Sequence, residues 1–172
     1  AITTWVNDAN GDSQIVAADG DHVYLYIGMR RGGQNYYALD VTNRAAPQML
    51  WSITGGSGDF SELGQSWSKP VKTKVKINNS EKEVLIFSAG YDESQDDYTV
   101  RTVDTIGRAI YIVDAETGGL LWSGGPTSND FTERFAEMKY SIPSEVRVID
   151  VNGDSLADQM YVGDMGGQIW RF

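Results

Sequence analysis

The sequence predicts an all-β protein, specifically a β-propeller present in part, with about three four-stranded blades of a larger propeller. Three observations predict this class. Short apolar runs alternate with Gly, Asn and Asp, and the chain holds 19 Gly but only 4 Pro. A pattern of apolar strand, Asp, turn and Trp recurs. The intervals between copies, once an insertion is allowed for, suit the roughly 40–50 residues of a propeller blade.

The recurring pattern is found at residues 36–51, 109–122 and 160–170. It divides the chain into units of three, four and three strands, which is fewer than three complete blades. The predicted strands are 23–29, 36–41, 50–53, 69–77, 83–89, 108–114, 120–122, 144–150, 158–163 and 168–172. A closed propeller needs at least four blades, so we expect further blades of a parent protein, or other chains, beside this one. One Trp per blade indicates inter-sheet core more than a sugar platform.

Composition supports a single domain and excludes several kinds of partner. The 172 residues carry a net charge of -10, which argues against nucleic acid and against an anionic membrane surface. There is no cysteine, hence no disulfide and no thiolate metal site. No run approaches the roughly 18 apolar residues of a membrane span. The first residues show no signal-peptide pattern and are expected to follow a cut point.

Three segments interrupt the strands of the single propeller segment 1–172. Residues 1–21 are predicted to be an irregular lead-in, and 91–107 and 123–141 to be insertions. In the last of these, Phe131, Phe135 and Met138 have helical spacing, and Asp130 is placed to cap a short helix. The acidic insertion 91–107 is either a solvated loop or the site of a second cation, with the solvated loop favoured.

The nine residues 150–158 form the most distinctive motif, D-x-N-x-D-x-x-x-D. Side-chain oxygens fall at positions 1, 3, 5 and 9, and a backbone carbonyl is available at position 7. Calcium takes six to eight oxygen ligands of these kinds, whereas Mg²⁺ resists so many protein oxygens. The predicted calcium ligands are Asp150, Asn152, Asp154, the Leu156 carbonyl and Asp158.

This loop departs from an EF-hand at position 6, which is Ser155, and at position 12, which is Tyr161. Its flanks are also predicted to be strands instead of helices, so the motif is expected at a β-turn. The alternative is an Asp- and Asn-rich hairpin turn that makes only local side-chain to backbone bonds. An earlier stretch, 8–12, begins the same way, but its ninth position is Val16, which predicts a plain loop or a degraded site.

Other candidate sites are weaker. Residues 30–33 (Arg-Arg-Gly-Gly) either hold an anionic partner or form an ordinary blade turn, and the turn is favoured. His22 is the only histidine and lacks the partners of a Ser-His-Asp triad. The Gly-rich stretch 55–58 lacks the Lys-Ser/Thr of a phosphate loop. No catalytic residue is predicted, and the chain is not expected to be an enzyme.

Several of these stretches, taken together, resemble the C-terminal propeller of the PilC/PilY type IV pilus proteins. They are residues 28–33, 36–42, 67–70, 90–92, 109–114 and 150–172. The loop 150–158 is also similar to the loops of integrin-type propeller repeats. The pilus resemblance implies an exported protein of the pilus tip or outer membrane surface, which supports pilus assembly and acts as an adhesin. It implies a Ca²⁺ loop that controls pilus extension against retraction, and as partners the minor pilins and host surface ligands.

Two functions of different classes follow. The first is a non-enzymatic calcium-binding propeller of a pilus assembly and tip adhesin protein. The second is a segment of a quinoprotein-like (PQQ-type) propeller dehydrogenase, because such enzymes share the "YALD…LW" blade pattern. A bound quinone colours a protein, whereas calcium does not absorb visible light, so absorbance discriminates between the two.

Overall fold

A computed structural model describes residues 1–172 and contains strands and short 3₁₀ turns but no α-helix. The strands are β1 Ile2–Asn7, β2 His22–Gly28, β3 Tyr36–Asp40, β4 Gln48–Ile53, β5 Val71–Ile77, β6 Ser80–Ser88, β7 Ile110–Asp114, β8 Leu120–Gly125, β9 Glu133–Arg134, β10 Arg147–Ile149, β11 Gln159–Gly163 and β12 Ile169–Arg171. All ten predicted strands are present within a few residues of their expected bounds. The sequence missed β1 and β9.

The strands form three sheets in chain order, which we call blades 1, 2 and 3. Blade 1 is β1-β2-β3-β4, blade 2 is β5-β6-β7-β8-β9, and blade 3 is β10-β11-β12. Neighbouring strands are antiparallel except β9, which pairs with β8 in parallel. The predicted all-β class and the division into three blades are confirmed.

The first strand corrects the prediction that residues 1–21 are an irregular lead-in. Ile2–Asn7 pairs with β2 along its whole length, from Ile2 opposite Ile27 to Asn7 opposite His22. The polar residues of this stretch hid the strand, which is held by a partner some twenty residues away. Blade 1 therefore has all four strands instead of the three predicted.

The predicted short helix around residues 130–138 is wrong. Phe131 is buried in the core between blades 1 and 2, whereas Met138 is buried in the core between blades 2 and 3. Helical spacing would place both on one face, and the two cores lie on opposite sides of blade 2. The chain instead crosses between them as a loop, with the two-residue strand β9 inside it. Asp130 pairs with Arg134 and caps nothing.

Blade 2 lies between the other two blades, and its sheet is buried on both faces. Along β6, Leu85 and Phe87 point into the core shared with blade 1, and Val84 and Ile86 point into the core shared with blade 3. All four side chains are fully buried. This two-residue alternation is what a strand requires, and it explains why β6 is apolar at every position from Val84 to Phe87.

Trp51 on β4 ties blade 1 to blade 2. Its indole Nε1 donates a hydrogen bond to the Ala115 carbonyl at 3.1 Å, and the hydroxyl of Tyr26 donates to the same carbonyl at 3.1 Å. Ala115 lies in the turn between β7 and β8. The expectation that the recurring Trp packs between sheets is confirmed at this position, where Trp51 is buried.

The third copy of the repeat is offset by one strand. Asp40 and Asp114 end the third strands of their blades, whereas Asp164 follows β11, the second strand of blade 3. Trp170 accordingly lies on the third strand, while Trp51 and Trp122 lie on the fourth. A pattern of apolar run, Asp and turn fits either hairpin of a blade, so the sequence alone did not fix the offset.

Replacement of Gly118 by Ala tests the contact between blades 1 and 2. A Cβ there would lie 2.7 Å from the Trp51 ring, and the φ of +72° disfavours L side chains. We expect Gly118→Ala to lower the free energy of unfolding by about 2–4 kcal/mol, through backbone strain plus overpacking. Urea denaturation followed by Trp fluorescence measures it.

Gly167→Ala is the matched control, since Gly167 has a φ of +88° and open space around its Cβ position. It carries the backbone strain alone, about 1 kcal/mol. Equal losses in the two variants would show that the contact of Gly118 with Trp51 contributes nothing.

Candidate metal-binding loop

The predicted calcium loop connects β10 to β11, the first two strands of blade 3. Ile149 pairs with Gln159 directly beneath it, so the loop closes an antiparallel hairpin. The expectation that strands flank this motif is confirmed. The five predicted ligand residues therefore lie in one solvent-facing turn at the ends of strands β10 and β11.

Asp150 organises the first half of the loop. Its Oδ1 accepts a hydrogen bond from the N–H of Gly153 at 2.7 Å, and its Oδ2 accepts one from the N–H of Ser155 at 2.8 Å. These two donors hold the pKa of the Asp150 carboxyl below its ordinary value of 3.8. The carboxylate is thus kept ionised by the backbone of its own turn.

The remaining side chains repeat this arrangement. Asn152 Oδ1 accepts from the N–H of Asp154, and Asp154 Oδ1 accepts from the N–H of Leu156, both at 2.8 Å. Asp158 Oδ2 accepts from the N–H of Val151 at 2.8 Å, which joins the end of the loop to its beginning. All four side chains thus turn toward the backbone of the loop.

The Leu156 carbonyl, the predicted ligand at position 7, accepts no hydrogen bond within the chain. The donor set, with four side chains and one free carbonyl, consists only of the oxygen atoms that calcium prefers. The three carboxylates themselves do not converge, and no group of three or more acidic or histidine side chains anywhere in the chain is close enough to hold a metal. The loop therefore has suitable donors, held in an arrangement of internal hydrogen bonds.

The end of the loop is fixed to blade 2. The N–H of Ala157 donates to the carbonyl of Lys74 on β5 at 2.8 Å. Beside this contact, Asp158 and Ala157 border a cleft of about 530 Å³ between blades 2 and 3, whose apolar lining includes Trp122 and Phe172. The end of the loop is thereby attached at the border between the two blades.

Residues 8–21 form a second loop of the same design between β1 and β2. Its first six residues match 150–155 at five positions. Asp8 accepts from the N–H groups of Gly11 at 2.8 Å and Ser13 at 2.7 Å, just as Asp150 does from its two donors. The polar bonds of Asn10 and Asp12 follow the same pattern.

Asp21 is the residue that sequence analysis missed in this loop. It accepts from the N–H of Ala9 at 2.8 Å, as Asp158 accepts from Val151, and both aspartates directly precede the second strand of a blade. The count to Val16 failed because an insertion containing a 3₁₀ turn, Ala17–Asp19, lengthens the loop. The signal that could have found Asp21 was its position beside the predicted strand, not its distance from Asp8.

The acidic insertion 91–107 is not a mere solvated loop, because two of its acids are buried. Asp92 accepts from the backbone and hydroxyl groups of both Ser94 and Thr105, which closes the insertion at its base. Asp104 pairs with Arg101 at 2.7 Å and accepts from the N–H of Ser141. Both carboxylates have protein partners and act as structural anchors of the insertion.

His22 lies among aromatic rings. Its imidazole stacks on Tyr24, with ring centroids 4.1 Å apart, and meets the edge of Trp5. Burial is the main cause that lowers its pKa from the ordinary value. Its surroundings are those of a packing residue of blade 1.

The three sheets, stacked face to face around two shared cores, define the chain as a segment of a β-propeller. The sequence profile of the PilY1 beta-propeller domain matches residues 8–172. This match covers nearly all of the chain, so the chain belongs to the PilY1 β-propeller family. The resemblance seen in the sequence is confirmed.

Individual relatives agree with this assignment. The type IV pilus biogenesis factor PilY1 of Pseudomonas aeruginosa is 31% identical over 154 residues, which cover 88% of this chain and 11% of that protein. A PilY1 homolog of Xylella fastidiosa is 29% identical over 158 residues, covering 86% of this chain and 9% of that protein. The chain thus spans only about a tenth of the length of these curated relatives.

A solved structure agrees as well. The crystal structure of the Pseudomonas aeruginosa PilY1 C-terminal domain superposes with a TM-score of 0.66 at 28% identity, covering 98% of this chain and 29% of that one. Both named relatives are described as type IV pilus biogenesis factors. None of its elements is a helix long and apolar enough to cross a membrane.

Ser155→Gly tests the backbone geometry of the loop. Ser155 has a φ of +69°, the left-handed conformation that an EF-hand gives to Gly at the same position. We expect the variant to raise the free energy of unfolding by up to about 1 kcal/mol, because relief of strain outweighs the added chain entropy. Ser128→Gly, an exposed serine without positive φ, is the control, and thermal unfolding in chelator measures both. A loss of stability at Ser155 equal to that at Ser128 would contradict the strain.

The lowered pKa of Asp150 predicts a pH dependence with a definite sign. Because the folded-state pKa lies below 3.8, the stabilisation from Asp150 is complete above 3.8 and is lost as pH falls through the lowered pKa. We expect the Asp150 carboxyl carbon to titrate below 3.8 when it is followed by NMR in chelator. A midpoint at or above 3.8 would contradict the two backbone hydrogen bonds.

Proposed function

We propose that this chain is a calcium-binding propeller segment of a type IV pilus biogenesis protein and has no catalytic role. The observation that carries the proposal is the loop 150–158, in which oxygen donors at positions 1, 3, 5, 7 and 9 lie within one hairpin turn. The ligands are Asp150, Asn152, Asp154, the Leu156 carbonyl and Asp158. Water completes the shell of six to eight oxygens.

Electrostatics explains why a divalent cation stabilises this turn. Asp150, Asp154 and Asp158 place three negative charges within nine residues of an exposed loop, in a chain that is already acidic. Like charges at this spacing repel one another, and a bound cation removes the repulsion. Binding that is restricted to the folded loop stabilises it by about 2.7 kcal/mol at a hundredfold excess over the dissociation constant.

The hydrogen bond between Ala157 and Lys74 connects the calcium loop to the rest of the fold. When calcium orders residues 150–158, the last turn of the loop stays fixed against β5, at the border between blades 2 and 3. In the parent protein this effect biases contacts with pilus subunits such as the minor pilins. Calcium thereby regulates pilus extension against retraction, and adhesion to host surface ligands, at the pilus tip outside the outer membrane.

The alternative, a quinoprotein-like dehydrogenase segment, rested only on the shared blade pattern. The family match and the relatives support a pilus biogenesis factor, and the relatives are not named as enzymes. Residues 150–158 lie at a strand-to-strand turn at the edge of a sheet. These observations favour the calcium-binding role.

Calcium titration calorimetry after chelator treatment tests the proposal. We expect the wild-type chain to bind calcium through residues 150–158, and Asp158→Asn to weaken this site by about tenfold or more, because a lost ion–carboxylate contact exceeds 1.4 kcal/mol. Asparagine keeps the acceptor for the Val151 N–H, so the variant removes charge without breaking the turn. Asp59→Asn, at an exposed aspartate away from the loop, is the charge-matched control.

Asp12→Asn separates the two similar loops. Calcium binding that survives Asp158→Asn but is lost in Asp12→Asn would place the metal in residues 8–21 and contradict the assignment to 150–158. Absence of binding in the wild type would contradict calcium altogether, while the membership of the family would stand.

A further inference from the structure

A cleft lies at the opposite ends of the strands from the candidate calcium loop, and it has no part in the proposed binding of calcium. In blade 3, the loop 150–158 precedes β11, whereas Met165 follows β11 and faces this cleft. The cleft has a volume of about 310 Å³ and is shared by loops of all three blades. Its lining residues are Arg31, Trp67, Tyr91, Asp96, Pro143 and Met165.

Arg30, beside this cleft, is held in an unusual backbone conformation. Its φ of +54° lies in the left-handed region, which is unfavourable for a residue with a long side chain. Its N–H donates to the Ser66 carbonyl at 3.1 Å, and its carbonyl accepts from the N–H of Gly33. Ser66 is fully buried and also bonds the N–H of Met29 at 2.7 Å, so the connection between blades 1 and 2 imposes the strain.

The exposed Arg30 guanidinium lies over the Trp67 ring, with its central carbon 5.7 Å from the ring centroid. The ring is itself held: its Nε1 donates to Gln65 Oε1 at 3.0 Å, and Gln65 Nε2 donates to Glu93 Oε2 at 2.7 Å. Because the guanidinium fork of arginine is planar and pre-organised, Arg30 loses little entropy for each hydrogen bond that it makes to a carboxylate.

Arg30 has no acidic partner, although acids outnumber bases in this chain by 24 to 14. None of the ion pairs in the structure includes it. Its neighbour Arg31 pairs with Asp96, but the side chains are 69% and 40% exposed, and an ion pair so exposed contributes little. A carboxylate brought by a partner can therefore bind Arg30 and displace Asp96 from Arg31.

We propose that this cleft is a docking site for a protein segment that presents a carboxylate beside an apolar side chain. The carboxylate binds the two arginines, and the apolar side chain packs on Trp67, Pro143 and Met165. Arg, Trp, Tyr and Met are the residue types enriched where proteins meet proteins. The flexible thioether of Met165 adapts to the shape of an apolar side chain.

The test is an NMR titration of the isotope-labelled chain in chelator, which makes it independent of the calcium loop. The probe is a short blocked peptide of alternating glutamate and leucine. We expect saturable shifts of the Trp67 indole N–H and the Arg30 Nε–H. The same peptide with glutamine in place of glutamate binds about tenfold more weakly or worse.

Arg30→Gly separates binding from folding. Glycine adopts the φ of +54° without strain, so we expect unchanged or higher thermal stability together with about tenfold or greater loss of peptide affinity. Arg44→Gly, in the turn at the other end of β3, removes the same charge from an exposed residue and leaves affinity unchanged. Asp96→Asn frees Arg31 and tightens binding, a gain that a purely structural role of these residues would not give.

Three results would overturn the proposal. One is absence of shifts at Trp67 and Arg30 at millimolar peptide. Another is equal peptide affinity in the wild type and in Arg30→Gly. The third is binding of glucuronate at Trp67 without binding of the peptide, which would assign the cleft to an acidic sugar.

Discussion

The burial of blade 2 on both faces is the constraint on which the rest of the structure depends. From Val84 to Phe87, strand β6 is apolar at every position, because one residue faces blade 1 and the next faces blade 3. A sheet with two apolar faces needs another element of structure packed on each face, and here the sheets of blades 1 and 3 cover blade 2. The order of the blades and the positions of the loops between them follow from this requirement.

The packed sheets position loops at both ends of their strands, and the loops at the two ends differ in their chemistry. At one end of the strands, aspartate-rich turns precede the second strands of blades 1 and 3, and their carboxylates accept hydrogen bonds from the backbone of the same turn. At the other end of the strands, side chains from the loops of three blades, arginine and aromatic residues among them, line one cleft. Rigid strands place these groups more accurately than loops alone could, which is the condition for a specific binding site.

Buried charges maintain order in the long connections of blade 2. Asp92 closes the insertion 91–107, and Asp104 links it to Ser141 near the start of blade 3. Glu62, in the connection between blades 1 and 2, binds Arg108 beside β7 through two hydrogen bonds, at 2.6 and 3.1 Å. A buried carboxylate left without such partners would cost several kcal/mol, roughly as much as an ion pair broken on one side. Some acidic residues of this chain therefore stabilise the fold, in addition to those that charge its surface.

The sequence by itself determined the all-β class, the strands β5 to β8 of blade 2 and the hairpin position of the loop 150–158, because all three depend on local spacing. Alternation with a period of two marks a strand, and an oxygen donor at every second position marks the loop. Only the tertiary structure decided the rest. Strand β1 exists through its pairing with β2, Phe131 and Met138 belong to different cores, and Asp21 reaches the loop of Asp8 across an insertion. The partners in each case are far apart in the chain, and distances of that kind are set by packing.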